Sequence, residues 1–233
     1  EDAEKALIET RNLLSEAAPA RLFDEFLKLM HGGYAVESFT SLRHLGLFKY
    51  LFPLSDRRLD SDEGEHESLL IRNALANTDR RINEGKPVNP AFLVAVMLWG
   101  EVAARRDRLL EKEAPAIAMQ SAGQDVIDKA VRALAIPRRF SIVAREIWSL
   151  QGRLLNRSGK RPARLVTHPR FRAAYDFLCL RSQSGEDDLQ EVCQWWTEYQ
   201  EQSPDTRAKM SAPKSGNGGR RRRPRRRKPA SGG

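Results

Sequence analysis

Residues 129–173 read KAVRALAIPRRFSIVAREIWSLQGRLLNRSGKRPARLVTHPRFRA, a stretch that is both strongly basic and helical in its apolar spacing. It holds twelve Lys or Arg residues and a single acid, Glu146. Apolar residues recur within it at helical spacing: Phe140, Val143, Ile147 and Leu150. The pattern predicts a helix over 137–155 that buries one face. The like charge on its other face is most simply offset by binding a polyanion.

Helical periodicity extends in both directions from this stretch, and no alternating β pattern of useful length interrupts it. We therefore predict an all-α fold. The expected helices cover 3–16, 19–30, 34–45, 65–83, 91–112, 115–135, 137–155, 169–181 and 187–201. Residues 54–64 are expected to form a charged turn, and 156–161 a polar linker. The expected organisation is a helical region over 1–53, a helical body over 54–201 and a disordered Arg-rich tail over 202–233.

The charge of the chain is concentrated in two places. The net charge is +9 over 233 residues, yet 202–233 alone carry +10 and 129–173 carry +11. The rest of the chain is therefore acidic, with a net charge of −12. In the tail, eight of nine consecutive residues are basic: Arg220, Arg221, Arg222, Arg223, Arg225, Arg226, Arg227 and Lys228. Such a run binds polyanions loosely and with strong salt dependence, although a localisation signal is an alternative interpretation.

Eight basic residues of the central stretch are the candidate nucleic-acid contacts: Arg138, Arg139, Arg145, Lys160, Arg161, Arg164, Arg170 and Arg172. The one-sided excess of positive charge favours binding to an RNA or DNA backbone. The competing interpretation is a solvated face that forms ion pairs with the acidic remainder of the chain.

Active-site chemistry is weakly represented. Asp60-Ser61-Asp62 has the spacing of a metal-binding carboxylate pair, but it stands in a charged segment and is expected to be a solvated loop. The four histidines are scattered, and no glycine-rich phosphate loop or nucleophile motif occurs. No catalytic residue and no metal ligand is predicted.

The two cysteines, Cys179 and Cys193, do not indicate a disulfide framework. They are expected to be small buried apolar residues in a reducing cytosol. No apolar stretch approaches the ~20 residues needed to cross a bilayer, and no signal peptide is visible. The sequence opens without methionine, which suggests a fragment of a longer protein.

Several ordered blocks resemble bacterial poly(A) polymerases. These blocks are AIPRR at 135–139, REIW at 145–148, LQGRL at 150–154, GKR at 159–161 and HPRFRAAYD at 168–176. Further similar segments are PARLFDE at 19–25, VNPAFL at 88–93 and the tryptophan pair Trp195-Trp196. The resemblance covers essentially the whole chain and corresponds to the neck, body and tail of that family.

The resemblance implies an enzyme that adds adenylates from ATP to RNA 3′ ends with Mg²⁺. It also implies that the catalytic head is absent here, so that this chain alone is inactive. Lys5 stands where the family's base-recognising motif would have arginine, and that motif is not carried over. Arg21 and Glu25 would support the nucleotide pocket, against the alternative of a surface ion pair at i, i+4. Trp195 and Trp196 would either stack on bases or pack in the core.

The eight central basic residues would then line the path of the RNA primer. The expected partners are RNA 3′ ends and, through the basic tail, RNA-decay proteins. The expected protein is monomeric and cytoplasmic, with no membrane contact. Two alternatives stay open: the body of a CCA-adding or other tRNA-handling enzyme, and a non-enzymatic interaction module whose tail docks to a membrane surface or an acidic protein.

Overall fold

The computed structural model describes residues 2–61 and 64–213, and within those ranges every regular element is a helix. The α-helices are α1 (Asp2–Thr10), α2 (Pro19–Met30), α3 (Ala35–His44), α4 (Phe48–Leu51), α5 (Pro53–Leu59), α6 (Gly64–Asn83), α7 (Pro90–Met97), α8 (Trp99–Leu109), α9 (Pro115–Leu134), α10 (Arg138–Leu154), α11 (Arg161–Val166), α12 (Phe171–Gln183), α13 (Gln190–Glu201) and α14 (Pro204–Met210). Short 3-10 turns span Arg11–Glu16 and Asp187–Leu189. The all-α prediction is confirmed.

Proline and a capping side chain set where several helices begin. Helices α2, α7 and α9 begin at Pro19, Pro90 and Pro115, where the missing N–H has no partner to lose. At α7 the Asn89 side chain also accepts a hydrogen bond from the Ala91 amide at 3.0 Å. These local signals explain why the sequence predicted the starts of these helices.

The larger core gathers the buried faces of α2 to α10 around α7. All α7 side chains except Pro90 and Phe92 are buried, as expected for a helix surrounded by others. Trp148 of α10 lies against α7, and its indole Nε1 donates to the Ala95 carbonyl at 3.1 Å. That bond fixes the basic helix α10 on the most buried element of the fold.

A second core holds the C-terminal helices. It joins the end of α10 to α11, α12 and α13: Leu150, Leu154, Leu165, Phe171, Ala174, Tyr175, Leu178, Leu189, Val192, Trp196 and Tyr199. Trp196 is fully buried, and its Nε1 donates to the Leu154 carbonyl at 2.8 Å. Helix α10 therefore spans both cores, and its outer face forms a continuous rigid support.

Three expectations about the first half of the chain were wrong. Residues 54–64 were expected to be a turn, but Pro53–Leu59 form α5, whose Asp56 pairs with Arg43. The expected helix 91–112 is broken at Leu98, next to the Met97 carbonyl, which accepts a hydrogen bond from the buried Ser55 hydroxyl at 2.5 Å. The expected helix 3–16 ends at residue 10 and continues as a 3-10 turn.

The C-terminal region differs more from expectation. The polar linker over 156–161 leads directly into α11, which the sequence did not predict. The expectation that structure ends at residue 202 was wrong, because Pro204–Met210 form α14 and Ser211 is buried. A hydrogen bond of 2.7 Å from the Gly159 amide to the Ser211 carbonyl joins the two missed segments. The basic run at 220–228 lies outside the described residues.

The cysteines also differ from the prediction of free, buried thiols. Cys179 of α12 and Cys193 of α13 form a disulfide, with their Cα atoms 5.2 Å apart. Both side chains are partly exposed rather than buried. The bond could not be predicted from the sequence, because two cysteines 14 positions apart on separate helices have no diagnostic spacing.

One carboxylate is buried in the larger core. Glu67 of α6 is 6% exposed, and it accepts a hydrogen bond from Arg58 Nε at 3.0 Å. It packs against Gly100 so closely that a Cβ atom on Gly100 would lie 1.9 Å from Glu67 Oε2. Burial raises the pKa of Glu67 to about 7, although Arg58 acts in the opposite direction.

Candidate nucleic-acid interface

Helix α10 presents the first group of predicted RNA contacts. Its apolar face, with Ile147 and Leu150 buried, turns inward as predicted. Arg138 and Arg139 lie exposed in its first turn, and the Arg139 guanidinium stands 4.7 Å from the Phe140 ring centroid. A cation held over an aromatic ring keeps its charge and its donors, so both residues remain able to bind phosphate.

Arg145 lines a separate cleft between α9 and α10. Its Nη1 donates to the Gln124 side-chain oxygen, and within the described ranges its Nε has no hydrogen-bond partner. The cleft has a volume of about 400 Å³. Gly123, which also lines the cleft, lets α9 pack closely on α10, because a Cβ there would lie 3.1 Å from Trp148 Cε3.

Two of the eight candidates are already paired with carboxylates. Arg170 Nε lies 2.7 Å from Glu146, which is the single acid of the basic stretch. Arg172 pairs with Asp176 one turn along α12 at 3.0 Å. Burial raises the pKa of Asp176, and Arg172 opposes that rise. The ion-pairing interpretation of the basic residues therefore holds for these two arginines.

The remaining three surround the start of α11. Lys160, Arg161 and Arg164 are all exposed, and none of them forms an ion pair with any residue in 2–61 or 64–213. Helix α11 packs its own apolar residues, including Leu165, into the second core. The fold thus displays three adjacent cations on one short, anchored helix without neutralising them.

Helix α6 contributes cations that the sequence reading missed. A cleft of about 540 Å³ between α6 and α12 is lined by Arg80, Arg172 and Tyr175, among others. Arg81 lies near enough to lower the pKa of Asp176 on α12. In the sequence these two arginines belong to an ordinary charged helix end, and only the packing of α6 on α12 brings them beside Arg172.

The proposed nucleotide-pocket residues lie on α2, away from these cations in the sequence. Glu25 pairs with Lys28 at 2.9 Å, not with Arg21 as the i, i+4 alternative supposed. The pKa of Glu25 lies below its ordinary value, chiefly because Lys28 donates a hydrogen bond to it. Arg21 is exposed.

The two tryptophans were expected either to stack on bases or to pack in the core, and they differ in their surroundings. Trp196 is fully buried, which confirms core packing for that residue. Trp195 is partly exposed, and its ring stacks on Tyr199 with centroids 4.7 Å apart and an angle of 19°. Its exposed part faces a cleft of about 640 Å³ rather than the α11 cations.

The acidic motif over 60–62 shows no metal-binding geometry in its described part. Asp60 ends α5 and pairs with Arg43 at 2.6 Å, while Asp62 lies outside the described residues. Within 2–61 and 64–213, no three His, Cys, Asp or Glu side chains are grouped to hold a metal ion. No helix in the same ranges is both long and apolar enough to cross a membrane.

Two family models match the chain. Residues 111–229 match the model described as the arginine-rich C-terminus of polymerase A. Residues 1–59 match the model described as the probable RNA- and SrmB-binding site of polymerase A. The first match contains α10, α11 and α12, and therefore all eight candidate contacts.

Curated relatives agree with the family models. Poly(A) polymerase I of Salmonella typhi is 40% identical over 227 residues, which cover 93% of this chain and 48% of that protein. Poly(A) polymerase I of Escherichia coli O6:H1 is 41% identical over 199 residues, 82% of this chain and 42% of that protein. The Haemophilus influenzae protein of the same name is 39% identical over 204 residues, covering 85% and 44%. The chain spans about half the length of the curated relatives it matches.

Proposed function

Because the chain belongs to the family of bacterial poly(A) polymerases, we propose that it holds RNA for an adenylate-adding enzyme. In the complete protein, a part outside this chain would transfer adenylates from ATP to the RNA 3′ end with Mg²⁺. This chain would bind the RNA and present its end. On its own it would not polymerise, since the described residues offer no carboxylate cluster for a metal ion.

The observation that carries the proposal is the unpaired cationic face around α11. An unpaired exposed cation can neutralise an RNA phosphate, and the release of the counterions condensed on the RNA drives binding. Lys160, Arg161 and Arg164 meet this condition. The competing interpretation, ion pairs with the acidic remainder of the chain, predicts for them the pairing that is seen at Arg170. Arg138 and Arg139 would add two exposed cations at the start of α10.

The same geometry supports binding to the RNA backbone rather than the reading of a sequence. Exposed Lys and Arg side chains on a helix surface contact phosphate oxygens, which carry no base identity. Arg170 and Arg172, which are ion-paired, would help to orient the RNA along this path. Arg145 would contact the RNA at the edge of the path. The arginines of 220–227 and Lys228 would add a looser contact of the same kind.

Further parts of the proposal concern the complete protein. Arg21 and Glu25 would support the nucleotide pocket from α2. A partner such as SrmB, named in the matching family model, would bind within 1–59, and RNA-decay proteins would bind through the tail. We place the protein in the cytoplasm as a monomer, where the disulfide between α12 and α13 would face reducing conditions.

The proposal is tested by RNA binding and by polymerisation in parallel. Charge reversal of Arg145, Arg161 and Arg170 together should weaken binding of a single-stranded RNA more than deletion of 214–233. The deletion begins at 214 because α14 belongs to the fold. ATP, Mg²⁺ and an RNA primer should give no extension with this chain. Robust extension would refute the division of labour, and unchanged affinity in the triple variant would refute the assigned path.

A further inference from the structure

A groove of about 700 Å³ separates α11 from α14, the two helices absent from the sequence prediction. This volume falls within the ~300–1,000 Å³ of typical small-molecule sites. Its walls are small and apolar, with Ala163 and Val166 on one side and Pro204 and Ala208 on the other. An open apolar groove of this size at the surface requires an occupant or a reason to remain exposed.

Cations stand at the edge of the groove. Lys160 and Arg164 line it from α11, and Arg207 lines it from α14. None of the described residues that line it is acidic. An apolar slot with an exclusively positive rim matches a ligand that carries a flat apolar group beside a negative charge.

Helix α14 is held firmly enough to form a wall. Arg207 Nε donates to the Tyr199 carbonyl at 2.8 Å, and its Nη2 donates to the Gln200 carbonyl at 2.6 Å. The amide of Gly159 donates to the Ser211 carbonyl at 2.7 Å and closes one end of the groove. Two hydrogen bonds from the middle of α14 and one just after its end therefore position the helix against the second core.

We infer that this groove is a nucleobase-docking site for single-stranded RNA, an inference that rests on the proposed function. A base would lie between the apolar walls, as bases do between apolar side chains elsewhere. The adjoining phosphates would contact Lys160 and Arg164. These two cations also belong to the proposed RNA path, so the groove is a lateral extension of that path. It turns a surface that only attracts phosphate into one that distinguishes RNA bearing bases from a bare backbone.

The test compares the binding of two oligomers to the wild type and to variants in which the groove is narrowed by a larger side chain. The probes are an oligoadenylate of about twelve nucleotides and an abasic ribose-phosphate oligomer of the same length. Ala208→Leu narrows the groove from α14 without changing charge or adding an aromatic ring, and Ala163→Leu narrows it from α11. Ala116→Leu, at an exposed position in the first turn of α9, is the matched control. Circular dichroism and thermal midpoints establish that each variant is folded.

The wild type should bind the oligoadenylate about tenfold more tightly than the abasic oligomer, and either groove variant should abolish that preference. The Ala116→Leu variant should keep it. Equal affinity of the wild type for both probes would overturn the inference while leaving the proposed RNA binding intact. A wild type that binds neither probe would instead overturn the proposed function and this inference with it. If an acidic peptide displaced the oligoadenylate from the wild type but not from the groove variants, the groove would bind a protein ligand and the inference would be overturned.

Discussion

The salt dependence of RNA binding gives the sharpest test of which cations contact the RNA phosphates. Each phosphate neutralised on a single strand contributes a slope of about −0.7 to the plot of log affinity against log salt. Lys160, Arg161 and Arg164 are exposed and unpaired within the described residues. Replacing all three by Gln should therefore make the slope about 2 less steep. Over a fourfold rise in salt, the wild type should lose about sixteenfold more affinity than the variant.

The matched control removes the same charge from cations that are already paired. Replacing Lys86, Lys129 and Arg157 by Gln also lowers the net charge by three. Each is close to a carboxylate: Lys86–Glu84 at 2.7 Å, Lys129–Asp125 at 3.1 Å and Arg157–Glu191 at 2.9 Å. These exposed pairs contribute little to stability, so the control variant should fold normally. Its slope should stay near that of the wild type.

Fluorescence anisotropy with a labelled single-stranded RNA, repeated at several salt concentrations, measures both slopes. The reasoning fails if the two triple variants change the slope equally, because net charge alone would then govern binding. It also fails if neither variant changes it, since the α11 cations would then make no phosphate contact.

Three further predictions concern stability. Burial raises the pKa of Glu67 to about 7, so the folded state binds this proton more tightly and Glu67 stabilises the fold progressively less as pH rises from about 4.5 to 7. The free energy of unfolding should therefore fall by at most about 3 kcal/mol over this pH range, and urea titrations should show that Glu67→Gln lacks this fall. A variant with the same pH profile as the wild type would contradict the assignment. Reduction of the Cys179–Cys193 disulfide should lower the free energy of unfolding by about 3 kcal/mol, seen as a lower thermal midpoint that Cys179→Ser reproduces without reductant. Gly85 has φ +68° and open space around it, and Gly85→Ala should cost about 1–2 kcal/mol in urea unfolding. Gly152→Ala, inside α10 with open space around it, should be neutral or stabilising by up to about 1 kcal/mol; equal effects would refute the strain argument.

Local signals in the sequence determined the helices that could be predicted. Pro115 begins α9, and the apolar periodicity after Pro137 marks α10, so both helices were predicted to within one or two residues. The break at Leu98 was not predicted, and the hydroxyl that binds the carbonyl before it comes from Ser55, 42 positions away. Helix α14 was missed because the composition around it is that of a tail, although Ser203 caps its first turn and Pro204 begins it.

The candidate site shows the same division. The charge excess and the helical period identified the basic residues, because both are properties of neighbouring positions. Which cations are neutralised depends on which acids the fold places beside them, as Glu146 beside Arg170 shows. The contribution of Arg80 from α6 and the groove beside α14 depend on packing between distant segments, which composition does not encode.

The bond between Gly159 and Ser211 also determines where the remaining chain departs. It fixes the end of the described fold at Pro213, on the lip of the groove beside α11. Seven positions separate Pro213 from Arg220, so covalent geometry keeps Arg220 within about 25 Å of that lip. An RNA contacting both the groove and the arginine run would be bound bivalently, with the second contact at an effective concentration set by this short tether. The avidity of the protein for RNA would then fall if the tether were lengthened, even with every contact residue left unchanged.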